Sequence, residues 1–208
     1  MNRSHENTHE TMVTILSKVQ DLRRAHLPWG EQSDIRLSGA ETGGAFGVFD
    51  YQAPAGFIVP RHVHHREDEI LRVVRGRAVF WTPQLSGSIE VGDVVKLPKG
   101  IEHAWRHFGD EPIGLLVDVV PAGFETFFAA TEAANLREDD IPGRSRIALQ
   151  FGVEITGPGL SDKNVQDILQ GRHPPAEEIG PRGSPEARVP AEPSAEEDPE
   201  AGESSPRT

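Results

Sequence analysis

Cysteine is absent from the 208 residues, which excludes disulfides, thiolate metal sites and thiol nucleophiles. Long apolar runs are missing too, and none approaches the roughly 20 residues that a membrane-spanning helix needs. The opening stretch MNRSHENTHETMVTILSK has no apolar core of the kind a signal peptide carries. Together these absences lead to the expectation of a soluble protein of the reducing cytoplasm. Positive charge is scarce: 21 Lys and Arg stand against 33 Asp and Glu, for a net charge of −12. That balance argues against a nucleic-acid partner, because phosphate binding needs clustered cations. Apolar residues are few as well, at 36% with a mean hydropathy of −0.45, so part of the chain is expected not to fold.

The scarcity is uneven. From Pro174 the chain reads PPAEEIGPRGSPEARVPAEPSAEEDPEAGESSPRT, with eight of the 17 prolines, nine acids and three arginines. Such a stretch buries too little to offset its ordering entropy. Composition shifts near Gly171, so residues 171–208 are expected to form a disordered acidic tail. Residues 1–11 are expected to be flexible, leaving a folded domain over 12–170.

Inside that domain the dominant period is two. The segments at 44–52, 69–74, 77–81, 93–97, 102–107 and 114–120 are short, rich in Val, Phe, Trp or Leu, and parted by Gly, Pro, Asp or Ser. That pattern predicts an all-β antiparallel sandwich or barrel with its core at about 44–120. After Pro121 the period changes. Phe124, Phe127, Phe128, Thr131 and Leu136 fall near one helical face, and a shorter helix is predicted with Ser161 as N-cap and Val165, Ile168 and Leu169 inward. Residues 121–170 are therefore expected to be a helical appendage.

Two groups of histidines stand out. His5-Glu6-Asn7-Thr8-His9 matches the zinc-protease signature H-E-x-x-H, but its neighbours are polar and offer no apolar face to bury a helix, so it is set aside. The stretch RHVHHREDEILRVVRG at 61–76 is more telling. On a strand His62 and His64 project to one face, and Glu69 shares its face with Leu71 and Val73. A carboxylate on an apolar face is costly unless paired or metal-bound. Downstream, His103, Trp105 and His107 alternate, so an inward His103 brings the other two inward. His62, His64, Glu69 and His103 would form an N3O set for one divalent transition metal: iron, manganese, nickel, cobalt, copper or zinc. Glu67 and Asp68 read as turn residues, His65 as exposed, and Arg72, Arg75 and Arg77 as a solvated outer face. Phe80 and Trp81 lie on opposite faces of one strand, so at most one can line a cavity.

These residues carry a resemblance to the cupin superfamily. Gly56, His62, His64, Glu69 and Gly76 stand at the spacings of its first motif, and Gly92, Pro98, Gly100 and His103 at those of its second, with His107 where Asn is usual. The resemblance implies a single cupin domain, a double-stranded β-helix or jelly-roll barrel. HVHHREDE, PAGFETFF (121–128) and FGVEITGPGL (151–160) further resemble small bacterial quercetin 2,3-dioxygenase-like proteins. That likeness implies a metal-dependent dioxygenase acting on a small aromatic or enolic substrate, with Glu69 as both ligand and proton acceptor. Trp105, His107, Leu71 and Val73 would line the substrate pocket. A non-redox isomerase or cyclase of natural-product metabolism and a non-catalytic metal- or ligand-binding cupin remain open alternatives. The expected partners are a small-molecule substrate and dioxygen, with edge-to-edge pairing into a homodimer as a further option and no membrane.

Overall fold

A computed structural model describes residues 14–180, so the H-E-x-x-H segment and most of the proposed tail lie outside the described residues. Eleven strands dominate: β1 (Arg23–His26), β2 (Gln32–Leu37), β3 (Gly47–Ala53), β4 (Ile58–His64), β5 (Asp68–Arg75), β6 (Arg77–Trp81), β7 (Ser86–Glu90), β8 (Val94–Leu97), β9 (His103–His107), β10 (Ile113–Val120) and β11 (Val153–Gly157). They form two antiparallel sheets, ordered β1-β2-β3-β10-β5-β8 and β11-β4-β9-β6-β7. Short helices accompany them: α1 (Gly39–Thr42), α2 (Phe127–Ala133), α3 (Ile141–Gln150), α4 (Asp162–Leu169) and α5 (Ala176–Ile179). The chain is all-β, two facing sheets around one core, and no helix among the described residues is long and apolar enough to cross a membrane.

The first sheet obeys the period-two rule for a surface wet on one side. Phe49, Tyr51, Leu71, Val73, Leu115, Val117 and Val119 point inward and are buried. On the outer side Arg72 of β5 pairs with Asp118 of β10, N–O 2.6 Å, as expected of a solvated face. The second sheet is covered on both faces. Along β6, Ala78 and Phe80 enter the interior, while Val79 and Trp81 join an outer cluster with Ala104, Leu160, Ile168 and Ile179. Burial of Ala78 to Trp81 on both faces follows from this outer layer.

A single residue, Gly76, separates β5 from β6. Its φ of +71° disfavours any side chain, and a Cβ there would stand 2.9 Å from the carbonyl oxygen of Pro112. The motif glycine is a steric requirement of this turn.

Four expectations need correction. The sheets extend beyond 44–120, since β1, β2 and β11 complete them, and β11 interrupts the segment expected to be helical. The helix after Pro121 is shorter than its apolar pattern: a 3-10 turn at Phe124–Thr126 leads into α2, with Phe124, Phe128 and Thr131 buried. In α4, Ser161 accepts from the Asn164 N–H as the predicted N-cap and Ile168 is buried, but Leu169 is exposed. A helix of eight residues is too short for its apolar pattern to fix which of two adjacent residues faces inward. The order also does not stop at Gly171. Trp81 Nε1 donates to the Pro174 carbonyl at 2.7 Å, Arg61 donates to the carbonyls of Ala176 (3.1 Å) and Gly180 (3.0 Å), and Ile179 is buried. Residues 174–180 are therefore a strap across the second sheet.

Candidate metal centre

Three strands bring the four proposed ligands together. His62 and His64 sit two apart on β4, Glu69 is at the start of β5, and His103 opens β9. Antiparallel pairing of β4 with β9 sets His62 opposite His103. All four side chains are buried, and one ligand atom from each lies within 4.8 Å of the others. The ring centroids of His62 and His103 are 4.2 Å apart, and those of His64 and His103 are 5.5 Å apart.

The orientation of the rings is more informative than their proximity. Nδ1 of His62 lies 2.7 Å from the Pro60 carbonyl, Nδ1 of His103 lies 2.9 Å from the Ile101 carbonyl, and Nδ1 of His64 lies 2.5 Å from a carboxylate oxygen of Glu67. Each partner is an acceptor, so Nδ1 carries the proton in each neutral imidazole and Nε2 keeps its lone pair. His64 Nε2, His103 Nε2 and Glu69 Oε2 are buried and have no hydrogen-bond partner. Buried polar atoms are rarely left this way unless something else satisfies them. A divalent cation would satisfy all of them, and the donor set fits one of the first transition row.

Charge within the cluster is finely set. Burial pushes His62 well below its ordinary 6.5, and the nearby His103 and His64 push it further. Burial also opposes charge on His64, but its bond to Glu67 and the charges of Glu69 and Glu67 outweigh that and raise it. For Glu69 burial alone would raise the carboxyl, yet His103 and His64 hold it below the usual carboxylate range. Glu69 Oε2 and His103 Nε2 are 3.7 Å apart, close enough to attract and too far to bond.

The cluster opens onto a cavity of about 160 Å³. His62, His64 and Glu69 contribute to its wall, and Trp105, Leu71 and Phe124 supply some of its largely apolar surface. Of the four expected pocket residues, Trp105 and Leu71 are there, while Val73 and His107 are not. Val73 is buried in the core opposite Leu115, two pairs further along the β5–β10 ladder than Leu71. His107 is fully buried and accepts the Gly56 N–H at 2.8 Å, so the residue in the usual Asn position ties the two motif segments together. Neither Phe80 nor Trp81 reaches the cavity: Phe80 packs in the core and Trp81 under the strap. His65 is exposed and pairs with Glu154.

Two groups escaped the sequence reading. Glu67 is not merely a turn residue: it is buried against His64. The i,i+3 spacing of His64 and Glu67 is the sequence signal for this contact. Trp29, Glu31 and Tyr51 also line the cavity, the first two from a region outside the expected core.

Residues 50–120 match the Cupin domain family model. That stretch runs from β3 to β10 and contains all four clustered side chains. Among curated proteins no sequence matches. Solved structures similar to the chain include KdgF from Halomonas sp., at 15% identity over 54% of this chain and 99% of that one, TM-score 0.48. A sugar phosphate isomerase from a cupin superfamily of Silicibacter pomeroyi shares 23% identity over 51% and 75%, TM-score 0.44. The Schizosaccharomyces pombe Cnp3 cupin domain shares 14% over 46% of this chain, which spans 64% of that domain, TM-score 0.41.

Proposed function

We propose that the protein is a metal-dependent dioxygenase acting on a small aromatic or enolic compound. The reading rests on one observation: unpartnered Nε2 and carboxylate atoms gather beside a largely apolar cavity to which several aromatic side chains contribute. His62, His64, Glu69 and His103 would hold the metal, which supplies Lewis acidity toward a substrate oxygen and a redox centre for dioxygen chemistry. The protein's own side chains do the rest. Trp105, Phe124 and Leu71 pack against a flat ring and keep bulk water from the reacting atoms. Glu69, held ionised by its imidazole neighbours, takes the proton of an enol or phenol and leaves an electron-rich anion for oxygen to attack.

The test is to purify the protein without chelator, measure bound metals, and follow dioxygen consumption against a panel of flavonols and enolisable phenols. The expected result is about one metal per chain and consumption that is lost in Glu69→Gln. Full metal occupancy with full turnover in that variant overturns the role of Glu69. A metal-loaded protein that converts substrate without consuming dioxygen is instead an isomerase or cyclase, and one that holds no metal is a binding module.

A further inference from the structure

The cavity contains a second polar group that metal binding does not use. Between β1 and β2 the chain makes a tight turn, closed by Gly30 N–H to the Leu27 carbonyl (2.9 Å) and Leu27 N–H to the Glu31 carbonyl (2.8 Å). This turn carries Trp29 and Glu31 to the cavity wall. Tyr51 donates its hydroxyl to Glu31 Oε1 at 2.6 Å, and the Trp29 indole N–H donates to Oε2. Arg144, which also lines the cavity, stacks on the indole with its guanidinium carbon 3.5 Å from the ring centroid, and its charge acts on Glu31.

An indole N–H can only donate, so Glu31 presents acceptor oxygens to its neighbours, and each carboxylate oxygen still has room for one more donor. A carboxylate kept in an apolar cavity with unused acceptor capacity needs a reason, because its desolvation is costly. The volume narrows what fills it. A cavity of about 150 Å³ holds one benzene ring, and this one is about 160 Å³.

We infer that Glu31 is a specificity-determining residue that accepts a hydrogen bond from a hydroxyl on a single-ring aromatic substrate, whose other oxygen faces His62, His64, Glu69 and His103. Tyr51 and Trp29 are positioning residues that fix the carboxylate. The inference rests on the cavity being the substrate site, and it selects one-ring diols over larger polycyclic phenols.

The experiment is calorimetric titration of the full chain, zinc-loaded and metal-stripped, with catechol, resorcinol, hydroquinone, their three dimethyl ethers, and quercetin. Methylation of both oxygens keeps the ring and removes every donor. At least one diol is expected to bind tenfold or more tightly than its ether, the range of a hydrogen bond to a charged acceptor. In Glu31→Gln the gap falls below threefold while ether binding is unchanged. Tyr51→Phe, which keeps the carboxylate but frees one oxygen, weakens the diol about threefold and spares the ether. Equal binding of diols and ethers, no binding of either, or an unchanged gap in a folded Glu31→Gln overturns the inference. Tighter binding of quercetin than of every single-ring probe overturns the size limit. The gap persists in metal-stripped protein even if no dioxygen is ever consumed, so this inference and the dioxygenase reading fail separately.

Discussion

The Glu67 carboxylate lies 2.5 Å from Nδ1 of His64, and both side chains are buried. That contact fixes the tautomer that leaves Nε2 facing the other ligands, and it increases the basicity of the ring. Glu67→Gln keeps an oxygen for Nδ1 but loses the charge. Metal affinity is expected to drop roughly 10- to 100-fold, the usual effect of removing such a support, as measured by competition with a chromogenic chelator. An unchanged affinity would show that Glu67 only fills space.

Much of the metal cluster was legible because its members lie close in sequence or on a strand whose period is fixed. His62 and His64 two apart, and Glu69 in register with Leu71, need only the pleat to be placed on one face. The strands β3, β5, β6, β8, β9 and β10 were legible for the same reason. By contrast, RRAH and QSDIRL show no apolar alternation, since Ala25, Ser33 and Ile35 are their only buried residues. In α3, Pro142 and Gly143 in the first turn hid the helix, although Asp140 caps it by accepting the Gly143 N–H. The strap was hidden more deeply. Its bonds to Trp81 and Arg61 come from backbone carbonyls, which composition does not reveal.

Gly76→Ala tests the steric reading of the β5–β6 turn. Positive φ and a Cβ 2.9 Å from the Pro112 oxygen both oppose the change. The expected loss is about 2 kcal/mol, the sum of a left-handed penalty and local displacement. Urea unfolding measures it, and a loss below about 0.5 kcal/mol would show that the turn relaxes freely.

Acid should destabilise the metal-free protein through His62. In the unfolded chain this ring protonates near its ordinary 6.5, whereas in the folded protein burial delays protonation to well below that. Between those two values the unfolded state binds more protons, so stability falls as pH falls. Glu69 adds to the loss at lower pH: its stabilisation is present above about 4.5 and disappears as pH drops through its lowered folded value. His64 works the other way, because its raised value gives stability that is full below 6.5 and fades as pH rises past it. Below 6.5 the His64 contribution is already complete and constant, so from there down the trend carries the sign of His62. Melting scans in chelator from pH 7 to 5 should show a falling Tm, and His62→Asn should flatten the slope. A slope unaffected by that change would place the acid sensitivity elsewhere.

Arg61 links the strap to the strand that carries two proposed metal ligands. It is 1% exposed, donates to the carbonyls of Ala176 and Gly180, and lies 3.5 Å from Glu102. Its direct neighbour on β4 is His62, whose ring points to the opposite face. Replacing Arg61 by Ala removes both strap bonds, leaves those carbonyls without these donors, and takes away one charged neighbour of the buried Glu102 carboxylate. Breaking a buried charged pair by one side typically costs about 3–5 kcal/mol, and that range is expected here in urea unfolding. Trp81→Phe removes only the single bond to the Pro174 carbonyl and a little ring area, so it should cost about 1–2 kcal/mol. If the strap stiffens β4, the Arg61 change should also weaken metal binding while the Trp81 change does so less. Equal metal affinity in wild type and both variants would mean that the strap stabilises the fold without reaching the site.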